Sequence, residues 1–352
     1  MRNRYHSGVS IALAPNPRSA PSTLHDVARL AGVSPSTVSR ILNGTARVTD
    51  DKRQAVEAAI HKLKFRPNLS AKGLRSGSTR TIGVLTQELE SPYFTRGTSG
   101  VEQGLLGSGY APIVVPGHWN AMEELERARL LISRKVDALV ILGGALTDAQ
   151  VSELAHSQPI AITGRHLQAD NVFSFHFDQL RGGQLATEHL IALGHRQIAH
   201  ITGPATHLDA QERRDGYLLA HQQAQLSIDP RLIVPGDYME SGGERAMNQL
   251  LDSGLKFTAV FCANDQTLWG ARLALYRRGL RVPEDVSLVG LDDLPQSAYM
   301  TPPVTTVQQP IHAMGRAAAA TLLRALGAVT DQPTDHPPLA LIVRETSGPV
   351  PA

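Results

Sequence analysis

A small all-α head followed by an α/β body with parallel sheets is the fold class the sequence predicts, and three observations predict it. Residues 22–66 carry three short amphipathic helical patterns, and residues 81–347 alternate apolar strands with segments of helical period. Charge divides along the same boundary. Residues 1–80 hold 14 Lys+Arg against 4 Asp+Glu, while the remainder holds 20 against 28. A basic head on an acidic body fits a head that meets a polyanion, with an ordinary solvated basic surface as the alternative.

The chain of 352 residues has room for a small module plus one large or two medium domains. Hydrophobic residues make up 42%, yet no apolar run reaches the length of a bilayer span. Near the N-terminus the apolar stretch Val9 to Ala14 is broken by Ser10 and followed by two prolines, which is not a secretory pattern. Residues 1–21 therefore read as a disordered extension. Cys262 is the single cysteine, which excludes an intrachain disulfide framework and a cysteine-rich metal site. The expected compartment is a bacterial-type cytoplasm, with no membrane partner.

In the head, Thr23 is a good N-cap and Asp26 completes a capping-box-like pair. Leu24, Val27, Ala28 and Ala31 share one helix face, and Gly32 supplies the left-handed stop. Ser34 caps a second helix with Pro35 at its first position, where the missing N–H costs nothing. Val38, Ile41 and Leu42 point inward, Ser36, Ser39 and Arg40 point outward, and Asn43-Gly44 ends the helix. A third helix begins at Thr49, with Asp50 and Asp51 in its first turn and Val56, Ala59, Ile60 and Leu63 on one face. Two short helices joined by a tight glycine turn and braced by a third make a helix-turn-helix domain. Small polar residues and one arginine on the second helix suit a major groove read by hydrogen bonds. A three-helix protein-interaction module is the competing reading, which the basic charge disfavours.

The run TLHDVARLAGVSPSTVSRILNG closely resembles the head of the lactose/galactose-repressor (LacI-type) family of bacterial transcription regulators, and the likeness continues through RPNLSAKGLRSGSTRTIGV. The resemblance implies DNA contact from Pro35, Ser36 and Arg40, with Leu74 in a hinge. Thr23, Ser34, Thr37 and Asn43 complete the expected contact set on the head, and Arg75 lies beside Leu74. Pro35 departs from the pattern: many relatives carry a hydrogen-bonding or aromatic side chain there, and proline offers only apolar contact.

Residues 67–80 are the expected hinge. Leu69 to Arg75 could form barely two helical turns, and Gly73 weakens them further. Alone, the segment reads as a flexible linker. The resemblance implies that two hinges pair on DNA, Leu74 wedging into the minor groove and Arg75 lying along it.

Expected strands in the body are Ile82–Thr86, Pro112–Val115, Asp137–Leu142, Ile160–Thr163, Gln197–Thr202, Ala259–Ala263 and Val286–Leu291. Between them, Met122–Arg134, Gly182–Leu193, Glu212–Gln223 and Thr267–Arg278 have helical period and length. This rhythm predicts parallel sheets with helices on both faces, divided into two lobes, and ligands at the carboxyl ends of strands. The runs ALGHRQIAHITGP, FCANDQ, VPEDVSLVGLDD and PPVTTVQQP extend the family resemblance over the body, implying a periplasmic-binding-protein-like sensor of a small molecule, a sugar or sugar derivative.

Several side chains are candidates to hold that molecule. Tyr93 and Phe94 follow the first strand and offer aromatic faces to a sugar ring, though Tyr93 could equally be core. By resemblance Arg213 points into the cleft, where its fork can hold hydroxyls or a carboxylate. Asp292 ends the strand VSLVGLDD at the family's ligand-binding acid, and Tyr238 matches a frequent aromatic platform. Asn264 and Asp265 end the neighbouring strand; one could bind ligand while the other caps the next helix. Arg165 follows IAIT and could instead pair with a surface carboxylate.

Catalytic signatures are missing: there is no Walker loop, GxGxxG, GxSxG or HExxH. His195, in a helix-to-strand turn, reads as structural. No cofactor or metal is expected. The resulting expectation is a repressor whose DNA affinity a small-molecule effector controls and which, as the resemblance implies, binds a pseudo-palindromic operator as a homodimer, with no leucine heptads after RETSGPVPA to zip dimers into a tetramer. A carbohydrate-acting enzyme with a DNA-binding head is the alternative, and Asp265 with Asp292 is the only obvious carboxylate pair it could use. An architectural DNA binder with no effector is the third reading.

Overall fold

The computed structural model describes residues 22–42, 48–65 and 78–350. The chain divides between Thr79 and Arg80 into two compact units. In the first, α1 (Leu24–Ala31) opens with a reciprocal capping box: Thr23 Oγ1 accepts the Asp26 N–H, and Asp26 accepts the Thr23 N–H. Gly32 closes the helix at φ 65°. Ser34 Oγ accepts the Thr37 N–H and caps α2 (Pro35–Leu42). In α3 (Asp50–Leu63) Thr49 stands at the N-cap, but its side chain makes no capping bond, so the acidic first turn alone answers the helix dipole. Val27, Ala28, Val38, Val56 and Ala59 form the buried centre, ringed by Leu24, Ile41, Leu42, Ile60 and Leu63. Ser39, expected to point outward, is half-buried.

The second unit holds two sheets. The first comprises β1 (Thr81–Thr86), β2 (Ala111–Pro116), β3 (Ala138–Ile141), β4 (Ile160–Thr163) and β5 (Val172–Phe175), parallel throughout in the order β2-β1-β3-β4-β5. The second comprises β6 (Ile198–Ile201), β7 (Ile233–Val234), β8 (Ala259–Cys262), β9 (Ser287–Asp292), β10 (Thr306–Gln308) and β11 (Ala340–Ile342), in the order β11-β10-β9-β8-β6-β7. β11 runs antiparallel to β10, the one departure from the expected parallel pairing. The periodicity reading missed β5, β7, β10 and β11. β7, β10 and β11 have only two or three residues, too few for a pattern to register, and β5, as long as β4, is only partly buried and carries Ser174 among its apolar residues.

Helices cover both faces of each sheet. On the first sheet, α4 (Pro92–Leu105) packs one face, with α5 (Ala121–Ser133) and α6 (Asp148–Ala155) on the other. α7 (Gln179–Ala192) and α8 (Leu208–Gln223) pack one face of the second sheet, and α9 (Glu240–Asp252) and α10 (Asp265–Arg277) the opposite face. The last helix, α11 (Ile311–Ala325), returns to the first lobe, where Ile311, Met314, Ala317 and Ala318 pack with Ile82, Val84 and Val140. The chain therefore crosses between lobes at 176–178, 309–310 and 326–339.

Three helix pairs approach backbone to backbone through reciprocal glycines. A methyl on Gly100 of α4 would fall on the His312 carbonyl of α11, and one on Gly315 on the Gly97 carbonyl. Gly183 of α7 lies against the Arg213 carbonyl and Gly216 of α8 against that of Leu180. Gly243 of α9 and Gly270 of α10 face the carbonyls of Thr267 and Glu240 in the same way.

His195 is structural, as expected: its Nδ1 bonds Thr258 Oγ1 at 2.8 Å and its Nε2 bonds the Gly348 carbonyl at 3.0 Å. Gly348 and Val350, beyond the 81–347 span that the sequence marks as the body, are held by Ser287 and by the Leu193 carbonyl. No helix among the described residues is long and apolar enough to cross a membrane.

Two outcomes follow from this packing. Gly216→Ala should destabilise the body by roughly 2–3 kcal/mol or more, because the carbonyl it meets belongs to a helix that cannot yield by rotating a side chain. Urea titration of the purified variant measures this, and a loss within experimental error would contradict it. The second outcome concerns His200, stacked between Phe261 at 4.6 Å and Tyr217 at 5.2 Å. Burial pushes its imidazole down from 6.5 to about 4. The unfolded chain thus takes up a proton that the folded one refuses. Stability is complete above about pH 6.5 and declines as pH falls towards 4, by up to about 3 kcal/mol for this group. Replacing it, as His200→Phe, should flatten the pH dependence of the urea midpoint across that window.

Candidate functional site

On the head, the expected DNA face gathers at the start of α2. Ser34, Pro35, Ser36 and Arg40 are exposed and Thr37 is half-buried. The Ser34 hydroxyl links to Ser36 at 2.8 Å and to Thr37 at 2.9 Å, so the three form a local hydroxyl network over the first turn. Thr23 is exposed at the α1 cap, with its hydroxyl donating to Asp26 at 2.7 Å. Asn43, Leu74 and Arg75 lie outside the described residues, as do residues 1–21 and most of the expected hinge.

In the body, the carboxyl ends of both sheets face one cavity of about 790 Å³. Its walls are the loops that follow β1, β2, β3 and β4 in one lobe and β6, β7, β8 and β9 in the other. Each sheet reverses strand order here, between β1 and β3 and between β6 and β8, which leaves a crevice where ligands settle in open α/β sheets.

Arg213, in the first turns of α8, is 3% exposed. Its Nε donates to Gln179 Oε1 at 2.9 Å and its Nη1 to the Ala263 carbonyl at 2.6 Å, while Nη2 stands 3.6 Å from Asp209. The guanidinium also lies 5.4 Å from the centre of the Tyr238 ring. Burial disfavours its charge, but the face of the Tyr238 ring and the nearby carboxyl groups of Asp209 and Asp292 outweigh that and hold it protonated. Asp292 is 4% exposed, and its Oδ1 accepts from Gln309 Nε2 at 2.6 Å. Burial raises its carboxyl well above the ordinary range, although Arg213 pulls the other way. The Tyr93 and Tyr238 phenols are raised by burial too, so both stay neutral. The cleft thus offers a fixed guanidinium, a carboxyl and two phenols between apolar faces.

All the sequence candidates except Asp265 line this cavity. Tyr93 and Phe94 lie in the first turn of α4 and contact edge to face at 5.3 Å. Asn264 both caps α10 and lines the cleft: its Oδ1 accepts the Thr267 N–H at 2.9 Å and its Nδ2 donates to the Tyr238 carbonyl at 3.0 Å. Arg165 lines the cavity while standing 3.5 Å from Asp148. Asp265 neither lines the cleft nor caps the helix with its side chain. Fully buried, it accepts from Ser297 Oγ and Thr306 Oγ1 at 2.6 Å each and from the Leu294 N–H at 2.9 Å. Burial lifts its carboxyl to about 6. With both oxygens spent on holding the 294–306 segment, it cannot serve with Asp292 as an acid–base couple.

Sequence reasoning missed Trp119, His207, Asp209 and Gln179, all on the cavity wall. Trp119 follows β2, while His207 and Asp209 follow β6, so the rule that ligands meet the ends of strands could have found them. Gln179 carries no such signal, because it starts a helix just past a lobe crossing. Backbone strain marks the same walls: His118, Trp119, Tyr238 and Asp292 all have positive φ, at 55°, 55°, 68° and 130°. Such outliers in side-chain-bearing residues cost roughly 1–3 kcal/mol each and gather at functional sites.

Residues 23–68 match the bacterial regulatory proteins of the lacI family, and residues 187–347 match a periplasmic binding protein-like domain. The HTH-type transcriptional regulator GalR of Escherichia coli strain K12 is 36% identical over 299 residues, 85% of this chain and 87% of that protein. The solved lac repressor dimer, bound to operator and the anti-inducer ONPF, aligns with a TM-score of 0.82 at 29% identity, over 93% of this chain and 99% of that one. A lacI-family regulator from Enterococcus faecium with bound ribose aligns with a TM-score of 0.67 at 26% identity, over 77% of this chain and 99% of its own.

Proposed function

Since the chain belongs to the lacI family of bacterial regulatory proteins and is a DNA-binding transcription regulator, not an enzyme, we propose that it represses from an operator and that a sugar or sugar derivative in the cleft sets its grip on DNA. The observation that carries this reading is the cleft itself. A buried guanidinium and a buried carboxyl stand among Tyr93, Phe94, Trp119 and Tyr238 between two lobes. Fixed polar groups suit hydroxyls, and aromatic faces suit the apolar side of a sugar ring. Ribose in the E. faecium relative is consistent with that chemistry.

In this proposal Ser34, Pro35, Ser36, Thr37 and Arg40 meet the major groove, with Thr23 at the flanking backbone. Two chains form the operator-binding unit, because a two-fold protein matches a two-fold site, and the lac repressor relative is a dimer on its operator. The setting proposed is the cytoplasm, where the operator lies. An effector need only bind one arrangement of the lobes more tightly than the other, by a few kcal/mol, to bias DNA affinity.

A thermal-shift screen of sugars, sugar acids, polyols and nucleobases, followed by operator release with each hit, tests the effector assignment. Arg213→Ala and Asp292→Ala should each keep operator affinity while losing the thermal shift and the response to the hit. A full response in both variants would place the effector elsewhere. For DNA, Arg40→Ala should weaken operator binding by roughly 1–3 kcal/mol and relax preference at one base pair. Titrations against operator and random duplex decide this, because an equal loss on both would reduce Arg40 to a phosphate contact.

A further inference from the structure

Trp119 and His207 come from different lobes, yet their rings stack with centroids 4.1 Å apart and planes 27° apart. We infer that this stack is a latch that holds the two lobes together over the cleft, and so gates the effector's access and release. The inference rests on the reading that the cleft holds the effector.

The indole is presented deliberately by its surroundings. The Trp119 N–H donates to Gln87 Oε1 at 2.9 Å and the His118 N–H to the Gln87 carbonyl at 3.1 Å, which hold both residues in left-handed backbone. Phe94 supports the indole edge on at 5.8 Å, and Gly143 lies under it, where a methyl would already touch both rings. Opposite, His207 stands at the N-cap position of α8, two residues before Asp209 and six before Arg213, with Tyr238 behind it at 5.9 Å. The indole is thus fixed within its own lobe, and Tyr238 backs the imidazole in the other. Among the described residues a hydrogen bond also joins these walls, from Ser91 Oγ to Gln266 Oε1, and it is long at 3.5 Å. The aromatic stack is therefore the main tie at this edge. His207 Nδ1 is buried with no hydrogen-bond partner, which leaves a polar atom for a ligand hydroxyl to satisfy. Removing the stack should raise the open-to-closed ratio of the lobes roughly 2- to 10-fold.

The chain has two tryptophans, so in a Trp269→Phe protein Trp119 is the sole indole. Acrylamide quenching of its emission in the full-length, ligand-free protein reads the latch. Trp119 should be shielded when His207 is present, quenched more steeply in His207→Ala, and shielded again in His207→Phe, which keeps the stack. Far-UV circular dichroism checks that each variant is folded. Quenching in the Trp269→Phe protein as steep as that of an indole in water would overturn the inference, whatever His207→Ala does. So would quenching that is unchanged in folded His207→Ala, or as steep in His207→Phe as in His207→Ala. Neither effector nor DNA enters the measurement, so a failure of the cleft as effector site would show separately, in the screen with Arg213→Ala and Asp292→Ala.

Discussion

Backbone contact between paired helices governs the body, because it removes the slack that side chains would otherwise leave. Where Gly183 faces the Arg213 carbonyl and Gly216 that of Leu180, α7 and α8 cannot slide without driving a carbonyl into the neighbouring helix. The carbonyl facing Gly183 is that of Arg213, so the close contact and the cleft guanidinium belong to one residue. Gly97, Gly100 and Gly315 fix α4 against α11 in the same way, and with them Tyr93, Phe94 and Ile311 on the cleft wall. Gly243 and Gly270 hold α9 against α10, whose N-cap is Asn264. Close packing on one side of each helix becomes side-chain placement at its end. Rigid elements hold a site to a tolerance that loops alone do not.

The cleft spends stability to keep its polarity. Taking ions out of water costs several kcal/mol each, and attraction repays this only when geometry and further hydrogen bonds are good. Arg213 meets that condition through Gln179, Ala263, Asp209 and Tyr238, whereas Asp292 does not: Gln309 and Arg213 leave its carboxyl raised well above the ordinary range by burial. Asp265, one strand away, shows the structural use of the same group, with its oxygens spent on Leu294, Ser297 and Thr306. Two buried aspartates of similar sequence context therefore do different work: one faces a cavity and the other pins a segment.

The lobes are neither independent nor fused. Three crossings join them, and α11 carries the chain back to the first lobe after most of the second is built. Two of these connections are short segments about which the lobes can turn while each core stays intact, since the cores of the two sheets share only the half-buried Leu339. A pair of packed bodies with a polar, aromatic crevice between them can hold two arrangements, which is what control by a ligand requires.

Local chemistry made the head legible. Thr23, Asp26, Gly32, Ser34 and Pro35 act on their immediate neighbours, so both ends of α1, the start of α2 and the inward face could be read directly; the half-buried Ser39 differed, and the Asn43-Gly44 stop lies outside the described residues. Longer strands of the body were legible for the same reason, and motif resemblance brought Arg213, Tyr238, Asn264 and Asp292 to the cleft. Sequence could not divide Asn264 from Asp265, because both sit at the end of β8 and the choice depends on Ser297 and Thr306, more than thirty residues away. Nor could it reveal the return of α11, the short edge strands, or the meeting of Trp119 with His207. Those are contacts between segments far apart in the chain, and only the packing of the two lobes brings them within reach.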